Sequence, residues 1–217
     1  MNISLPISKR YTAKTFDPQR PLAADQVAQI ETLLRLSPSS TNIQPWHFFI
    51  TDNAAGKARI AKATSGVCAF NEPKVRNASH VVVLCARTSI DESYLHELLA
   101  HEERDGRFTS NEYRDTWHRV RSYFVNTHRF ELRDVQHWND KQVYVALGTL
   151  LMGAAAMGID ACPIEGFHQA ILDEELGLRE KGLVSSVIVA LGYAAVDDSD
   201  ARLPKSRWRA EQVFTRI

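Results

Sequence analysis

The sequence predicts an α+β or α/β fold in which helices cover both faces of one sheet. Two patterns lead to this prediction: short runs of β-branched and aromatic residues, and longer stretches whose apolar residues recur every three or four positions. They alternate along a chain of 217 residues that is 44% hydrophobic and 24% charged and has no internal repeat. We therefore expect a single domain over residues 1–217.

The first predicted helix spans residues 24–36. Asp25 places a negative charge near its N-terminus, where the helix dipole favours it. The helix ends before Pro38, because a residue that precedes proline avoids the α conformation. Four apolar residues recur at helical spacing, namely Val27, Ile30, Leu33 and Leu34.

Bulky and β-branched runs predict the strands. Within the second run, residues 81–84 are apolar without interruption, which indicates a strand that is buried on both faces. The four predicted strands cover residues 46–50, 80–85, 184–191 and 213–215.

Three further helices are predicted, over about residues 91–104, 110–131 and 140–157. The first two are polar and rich in charge, whereas the third is apolar around nearly its whole circumference. A helix of this last kind must be covered on every side, at the centre either of the monomer or of a dimer. Gly148 and Gly153 leave room for another backbone to approach it closely.

Composition disfavours several classes of partner. Lys plus Arg and Asp plus Glu number 26 each, so no overall field favours nucleic acid or an anionic membrane. The longest apolar stretch, residues 143–157, is shorter than the roughly 20 residues of a membrane helix. Residues 1–5 lack the pattern of a secretory signal, and three scattered cysteines suit a reducing compartment. We therefore expect a cytoplasmic protein.

Motifs for several other kinds of chemistry are missing from the sequence. There is no GxGxxG after a predicted strand, no GxxxxGK[ST] loop and no GxSxG elbow. His96 and His101 lie close to three glutamates, but their spacing is not HExxH, and a solvated charged helix explains them better. We therefore expect no metal site.

Residues 37–46, here called the polar loop, carry hydroxyl and amide side chains between two prolines. Pro38 and Pro45 restrict the backbone, and short Ser, Thr and Asn side chains offer hydrogen-bonding groups close to it. Such a loop suits the edge of a ring or sugar, and we expect it to contact a bound flavin. The same composition, taken by itself, also fits an ordinary polar turn after a helix.

Two pairs of basic residues lie near opposite ends of the chain, Arg10 with Lys14 and Lys205 with Arg207. A phosphate monoester carries roughly −1.5 to −2 charges and accepts several charge-assisted hydrogen bonds. If the two ends of the chain meet, four cations converge on one phosphate. The alternative is that these residues are solvated surface charges.

Several separated segments resemble the FMN-dependent bacterial nitroreductase family, in particular its group of oxygen-insensitive NAD(P)H nitroreductases and dihydropteridine reductases. They follow one another in the family's order and cover essentially the whole chain. The resemblance implies an α+β nitroreductase-like fold with a mixed, mainly antiparallel sheet, and an intertwined homodimer with two FMN sites between the subunits. The segments are KRYTAK at 9–14, SPSSTN at 37–42, QPWHF at 44–48, FNE at 70–72, ASHVVV at 78–83, PIEGF at 163–167 and LPKSR at 203–207.

The resemblance also implies roles for individual residues. Arg10, Lys205 and Arg207 would hold the FMN phosphate, Thr12 would assist, and Tyr11, where relatives carry histidine, would offer its backbone. At the pyrimidine edge of the flavin, positive charge would favour the reduced state, and the residues expected there are Lys14, Asn71 and Lys74. The remaining implied contacts are Pro163, Ile164, Glu165 through its amide, and Gly166, with Ser39, Ser40 and Asn42 from the partner subunit.

The implied reaction is ping-pong, since NADH or NADPH would reduce bound FMN, leave, and be replaced by a flat aromatic acceptor such as a nitroaromatic or a quinone. Phe124, Phe70 and Thr41 would line the acceptor pocket, and a helical excursion over about residues 91–134 would border it. Two related alternatives are a dihydropteridine or flavin reductase and a non-enzymatic flavin-binding protein. A flavin-free interaction module would explain only the apolar helix.

Overall fold

The sheet and its helices are seen in a computed structural model that describes residues 4–217. Residues 1–3 lie outside this range. They belong to the segment 1–5, which is predicted not to be a secretory signal. The strands are β1 (Trp46–Thr51), β2 (His80–Arg87), β3 (Asp160–Ile164) and β4 (Leu183–Gly192). The helices are α1 (Ser4–Lys9), α2 (Ala24–Arg35), α3 (Ala54–Ala61), α4 (Glu72–Asn77), α5 (Glu92–Arg104), α6 (Asn111–Asn126), α7 (Val135–Ala156), α8 (Gln169–Leu176) and α9 (Ala210–Val213).

The four strands form one sheet in the order β1-β2-β4-β3, and every neighbouring pair is antiparallel. A parallel bridge joins Thr12 to Ala161 of β3. This bridge is the parallel element of an otherwise antiparallel arrangement. Pro163 has no N–H to donate, which suits its place on an edge strand.

β2 separates two hydrophobic clusters, because its side chains alternate between the two faces of the sheet. Val81 and Val83 pack with residues of α3, α4 and α8, whereas Val82 and Leu84 pack with residues of α2 and α7. All four side chains are fully buried. The predictions of a strand buried on both faces and of helices on both sides of the sheet are confirmed.

The predicted helices over 24–36, 91–104 and 110–131 correspond to α2, α5 and α6, with a π-helical turn at Thr127–Glu131. α7 begins at Val135, five residues before the predicted position 140. Its first turn contains polar residues such as Gln136 and His137, which interrupt the regular spacing of apolar residues from which the helix is predicted.

The strand predicted at residues 213–215 is wrong within this chain. Val213 ends α9, and Phe214 follows with an extended backbone but pairs with no strand among the described residues. Its side chain is 73% exposed. An extended segment becomes a strand only when a neighbour accepts its backbone hydrogen bonds, and the chain supplies none there.

α7 is not covered on every side by its own chain. Gly153 packs so tightly that an added Cβ would lie 2.2 Å from Leu33 Cδ1, whereas an added Cβ at Gly148 would meet no atom within 4 Å. One side of the helix is exposed to solvent, and we call it the open stripe: Tyr144, Val145, Gly148 and Ala156. The helix therefore retains an apolar face that the monomer does not bury.

Helix length and hydropathy also bear on membrane association. In the part of the chain that the structure describes, no helix is both long enough and apolar enough to cross a bilayer.

Candidate functional site

The two ends of the chain meet through Asp198. Its side-chain oxygen Oδ2 accepts hydrogen bonds from the backbone N–H groups of Lys14 and Thr15, at 2.7 and 3.1 Å. Asp198 is almost completely buried, so these bonds are shielded from water. The Lys205 ammonium also donates to the backbone carbonyl of Arg10. The condition that the sequence left open, convergence of the two basic pairs, is met.

The convergence forms a cavity of about 380 Å³ that we call the basic groove. Lys14 pairs with Asp200 at 3.9 Å, the upper limit for an ion pair. Among residues 4–217, no carboxylate lies within ion-pair distance of Arg10, Lys205 or Arg207. Six of the predicted site residues line the groove: Arg10, Tyr11, Thr12, Lys14, Lys205 and Arg207.

Titration behaviour at the groove reflects this charge. Desolvation, followed by repulsion from Arg10 and Arg207, lowers the pKa of Lys205. The pKa of the Tyr11 hydroxyl rises to about 12. Burial is the main cause, and the nearby carboxylate of Asp198 adds to it. An anion bound in the groove would relieve the repulsion among the cations.

A second cluster lies beside the groove and consists of Asn71, Lys74 and Gly166, here called the amide cluster. Lys74 Nζ donates to Asn71 Oδ1 at 2.6 Å, and Asn71 Nδ2 donates to the Gly166 carbonyl at 2.8 Å. Burial lowers the pKa of Lys74, and Lys14 acts in the same direction, which brings the cluster into electrostatic contact with the groove. An added Cβ at Gly166 would lie 2.8 Å from Asn71 Nδ2, so this contact requires glycine.

Phe70 and Glu165 border the amide cluster. The Lys74 ammonium lies 4.8 Å from the centroid of the Phe70 ring, which is 66% exposed. Glu165 precedes Gly166 and accepts a hydrogen bond from the Tyr144 hydroxyl of α7. Pro163 and Ile164 end β3 just before this loop. The structure therefore brings together all the predicted residues except those of the polar loop and Phe124.

The polar loop is held in a strained conformation. Thr41, Asn42 and Gln44 have φ angles of 49°, 55° and 44°, in the left-handed region that favours glycine. Such conformations cost of the order of 1–3 kcal/mol each for non-glycine residues, and persist only where the surroundings enforce them.

Side chains inside and outside the loop supply this enforcement. Gln142 of α7 accepts a hydrogen bond from the backbone N–H of Ser40 at 2.8 Å. Within the loop, Ser39 Oγ accepts from the backbone N–H of Gln44 at 3.0 Å. The side chains of Ser39 and Gln142 are therefore occupied in holding the backbone.

A buried ion pair closes the loop from the other side. Arg121 of α6 donates through Nη2 to both carboxylate oxygens of Glu102 of α5, at 2.6 and 2.7 Å, and through Nε to the Thr41 carbonyl at 3.0 Å. Glu102 also accepts from Asn42 Nδ2 at 2.7 Å. Phe124, three residues after Arg121, is 44% exposed.

The polar loop and the basic groove occupy opposite corners of the sheet. Trp46, which follows the loop, pairs with Ala86 on the β1 edge, whereas Asp160 pairs with Gly192 on the β3 edge. Three strand spacings amount to about 14 Å across the sheet, and the displacement along the strands is about 27 Å. Within one chain the polar loop and the basic groove are therefore roughly 30 Å apart.

Comparison with known proteins identifies the family. A model of the nitroreductase family matches residues 7–193. The chain belongs to the nitroreductase family. It is 49% identical over 207 residues to an oxygen-insensitive NAD(P)H nitroreductase of Enterobacter cloacae, with 95% of each chain covered.

Two further comparisons give another relative of this nitroreductase and a solved structure with the same fold. A major NAD(P)H-flavin oxidoreductase of Aliivibrio fischeri is 31% identical over 210 residues, which cover 96% of this chain and 95% of that protein. A crystal structure of a nitroreductase-like protein from Streptococcus mutans has a TM-score of 0.79 at 22% identity, with 99% of this chain and 97% of the other covered. The predicted family and α+β fold are confirmed.

The nitroreductase sequence also contained signals that were not used to predict site residues. Gln142 holds the polar loop, and Tyr144 holds Glu165. Each is a polar residue within an otherwise apolar helix, and this contrast is visible in the sequence. Glu102 and Arg121 lie in helices rich in charge, where nothing in the pattern distinguishes a buried charge from a solvated one.

Proposed function

We propose that this chain is an FMN-dependent oxidoreductase that uses NADH or NADPH to reduce nitroaromatics, quinones or related flat acceptors. The observation that carries the proposal is the basic groove. In it, three cations that have no carboxylate partner within residues 4–217 lie beside the amide cluster. The relative named as an NAD(P)H nitroreductase, at 49% identity, supports the donor and the acceptor class. The relative named as an NAD(P)H-flavin oxidoreductase supports the flavin.

The residues present fit FMN. Guanidinium groups at Arg10 and Arg207 and the ammonium at Lys205 form a donor set suited to a phosphate monoester. Thr12 adds a hydroxyl group, and Tyr11 adds the hydrogen-bonding groups of its backbone. In the neighbouring amide cluster, ammonium and amide groups suit the carbonyl and nitrogen atoms at the edge of a flavin ring.

FMN, when bound, supplies the two-electron chemistry by accepting hydride from the nicotinamide and passing electrons to the acceptor in ping-pong order. The chain supplies orientation and charge. Lys14 and Lys74 would provide positive potential at the pyrimidine edge, where negative charge develops on reduction, and Asn71 fixes the position of Lys74. Pro163 to Gly166 follow β3, so this loop presents the Glu165 amide from a rigid strand.

The complete site requires a homodimer. Because the polar loop and the basic groove lie at opposite corners of one chain, Ser39, Ser40 and Asn42 reach the flavin held by a second copy. The open stripe of α7 supports this arrangement, since pairing two such stripes removes an apolar face from water. Phe70 then approaches the flavin from one chain, and Thr41 and Phe124 from the other.

The proposal also covers domain organisation and location. Residues 1–217 act as one domain, in which the helical excursion over about 91–134 lines the acceptor pocket. The enzyme works in the cytoplasm, where nicotinamide donors and reduced cysteines are available.

The test of this function begins with the purified protein and its colour. We expect bound flavin that loses its yellow absorbance when NADH or NADPH is added anaerobically and regains it when a nitroaromatic or quinone follows. Colour that does not bleach would instead indicate a flavin-storage protein. A colourless protein that takes up no FMN would contradict the proposal altogether.

The phosphate assignment has its own variants. Replacing both Lys205 and Arg207 with alanine removes two cations from the groove and should weaken FMN binding by at least about 10-fold, since each charge-assisted hydrogen bond contributes roughly 1.5–3 kcal/mol. Arg202→Ala is the matched control, because Arg202 is a cation of the same segment that does not line the groove. Equal FMN affinity in the double variant and the control would remove the assignment.

A panel of acceptors distinguishes the two enzymatic alternatives. Nitroaromatics and quinones are compared with dihydropteridines and free flavins under the same conditions, each with NADH and with NADPH. Highest kcat/KM for a pteridine or a free flavin would assign the enzyme to that substrate and keep the cofactor site as proposed.

A further inference from the structure

Arg121 is the one arginine side chain among the largest fully buried residues, and it joins three parts of the chain. It lies on α6, its Nη2 contacts Glu102 on α5, and its Nε donates to the Thr41 carbonyl in the polar loop. Each contact is made by a different nitrogen of one rigid, planar group. A guanidinium therefore fixes the angle between the two directions, which an ammonium cannot do.

The Thr41 backbone needs such a constraint. Thr41 and Asn42 are consecutive residues with positive φ, and relaxation of either would move both side chains. Arg121 donates to the Thr41 carbonyl, and Glu102 accepts from the side-chain amide of Asn42. The ion pair therefore holds both strained residues from the same point.

Stability alone does not account for this arrangement. A buried ion pair is costly to desolvate, and apolar residues of similar volume often replace such a pair without loss of stability. The cost is higher here because Arg121 Nη1 and Thr41 Oγ1 are buried and have no hydrogen-bond partner among the described residues. A pair retained under these conditions is better explained by the geometry that it imposes.

That geometry links the two walls assigned to the acceptor pocket. Arg121 and Phe124 are three residues apart on α6, so they lie on the same side of the helix. The guanidinium that holds Thr41 is thus attached, within one helical turn, to the backbone that carries Phe124. Resting on the proposed function, we propose that Arg121 and Glu102 are positioning residues that set Thr41 relative to Phe124 and thereby fix the shape of the acceptor pocket.

The test uses the FMN-loaded wild-type enzyme and the R121K variant. Lysine keeps the charge opposite Glu102 but cannot also reach the Thr41 carbonyl in a fork. We expect KM for the acceptor to rise roughly 10-fold or more, because small displacements of positioning groups have effects of this size. FMN affinity should fall by less than this, because Glu102 still holds the Asn42 side chain. A merely structural role would lower the melting temperature and leave KM unchanged.

Two other variants complete the design. R129A is the matched control. Arg129, in the π-helical turn after α6, pairs with Glu92 of α5 at 3.4 Å near the surface, so this variant also removes a charge that joins α5 to the α6 region. E102Q combined with R121M removes both charges of the pair, and it should show the same rise in KM. Arg107, which lies 3.6 Å from Glu102, remains solvated in this variant because its side chain is half exposed. R129A should behave as wild type.

The possible results separate the two proposals. A wild-type enzyme that binds no FMN or oxidises no nicotinamide would contradict the proposed function itself. Normal turnover in the wild type, with wild-type KM in R121K or in the double variant, would overturn only the positioning role. Failure of both variants to fold, while R129A folds, would also overturn it, because Arg121 would then serve stability.

Discussion

The hydroxyl group of Tyr144 donates a hydrogen bond to the Glu165 carboxylate over 2.5 Å, and this bond ties the middle of α7 to the loop after β3. Burial, and then this bond, raise the pKa of the Tyr144 hydroxyl, so the phenol remains a donor at neutral pH. Gln142, two residues earlier, holds Ser40. One helix therefore contacts both the polar loop and the loop after β3.

Tyr144→Phe removes the donor to Glu165 and leaves the ring in place. We expect FMN affinity to fall roughly 5-fold, which corresponds to the loss of about 1 kcal/mol of loop ordering. Tyr113→Phe is the control, because the Tyr113 hydroxyl makes no hydrogen bond within the described residues. Titration of FMN into the apoprotein measures the effect, and equal affinity for the two variants would show that the bond does not order the loop.

Gly166→Ala should disrupt the amide cluster. The new Cβ would lie 2.8 Å from Asn71 Nδ2, so the Asn71 side chain must move and release both Gly166 and Lys74. Loss of one or two hydrogen bonds corresponds to about 1–2 kcal/mol, or roughly 5- to 30-fold in FMN affinity. Asn71→Ala should reproduce this loss. If Gly166→Ala weakens binding and Asn71→Ala does not, the glycine acts by another route.

Val145→Glu places a charge on the open stripe of α7. If this stripe is the dimer interface, the variant should sediment as a monomer and should lose bound flavin with it. Gln136→Glu is the matched control, since Gln136 is exposed on the same helix but lies nine residues before Val145, on the opposite side. A monomeric Val145→Glu protein that still binds FMN with wild-type affinity would contradict the assignment of the polar loop to the partner's site.

His80 should make the fold sensitive to acid. Burial lowers the pKa of His80, and Ser79 Oγ, which accepts from the Leu22 N–H, lies 2.9 Å from His80 Nδ1. A neutral His80 ring can accept from this hydroxyl at Nδ1, and protonation would remove that acceptor. Because the folded pKa lies below the unfolded value of about 6.5, stability is complete above that value and falls as pH decreases through it.

The measurement for His80 is urea unfolding between pH 7.5 and 5. His80→Gln should show a smaller loss of unfolding free energy across this range than the wild type. His137→Gln serves as the control, because His137 is exposed on the first turn of α7. Parallel pH profiles for His80→Gln and the wild type would exclude His80 as the origin of the acid sensitivity.

Local patterns predicted much of the fold. α2 follows from its apolar spacing and β2 from its uninterrupted apolar run, because each pattern reflects burial that the whole structure preserves. β3 was missed since it has five residues, one of them Pro163, and acquires its strand character from β4. The tail at 213–215 shows the converse, where strand-like residues have no neighbour.

The candidate site was predictable to a different extent. Clusters of polar and basic residues indicated which side chains matter, and most of them do meet. What the sequence could not reveal is the buried chemistry that holds them, such as Asp198, Glu102 and Arg121. A charged residue looks the same in a sequence whether water or a buried partner surrounds it, and only the tertiary contacts decide which.

The bond between Asp198 and the Lys14 backbone has a consequence for biosynthesis. These residues are 184 positions apart, so the groove does not exist until the segment that contains Asp198 has left the ribosome. A nascent chain contains Arg10 and Lys14 early, but it lacks Lys205 and Arg207, which complete the groove. A ligand of this groove would therefore bind only to chains in which both segments have been made.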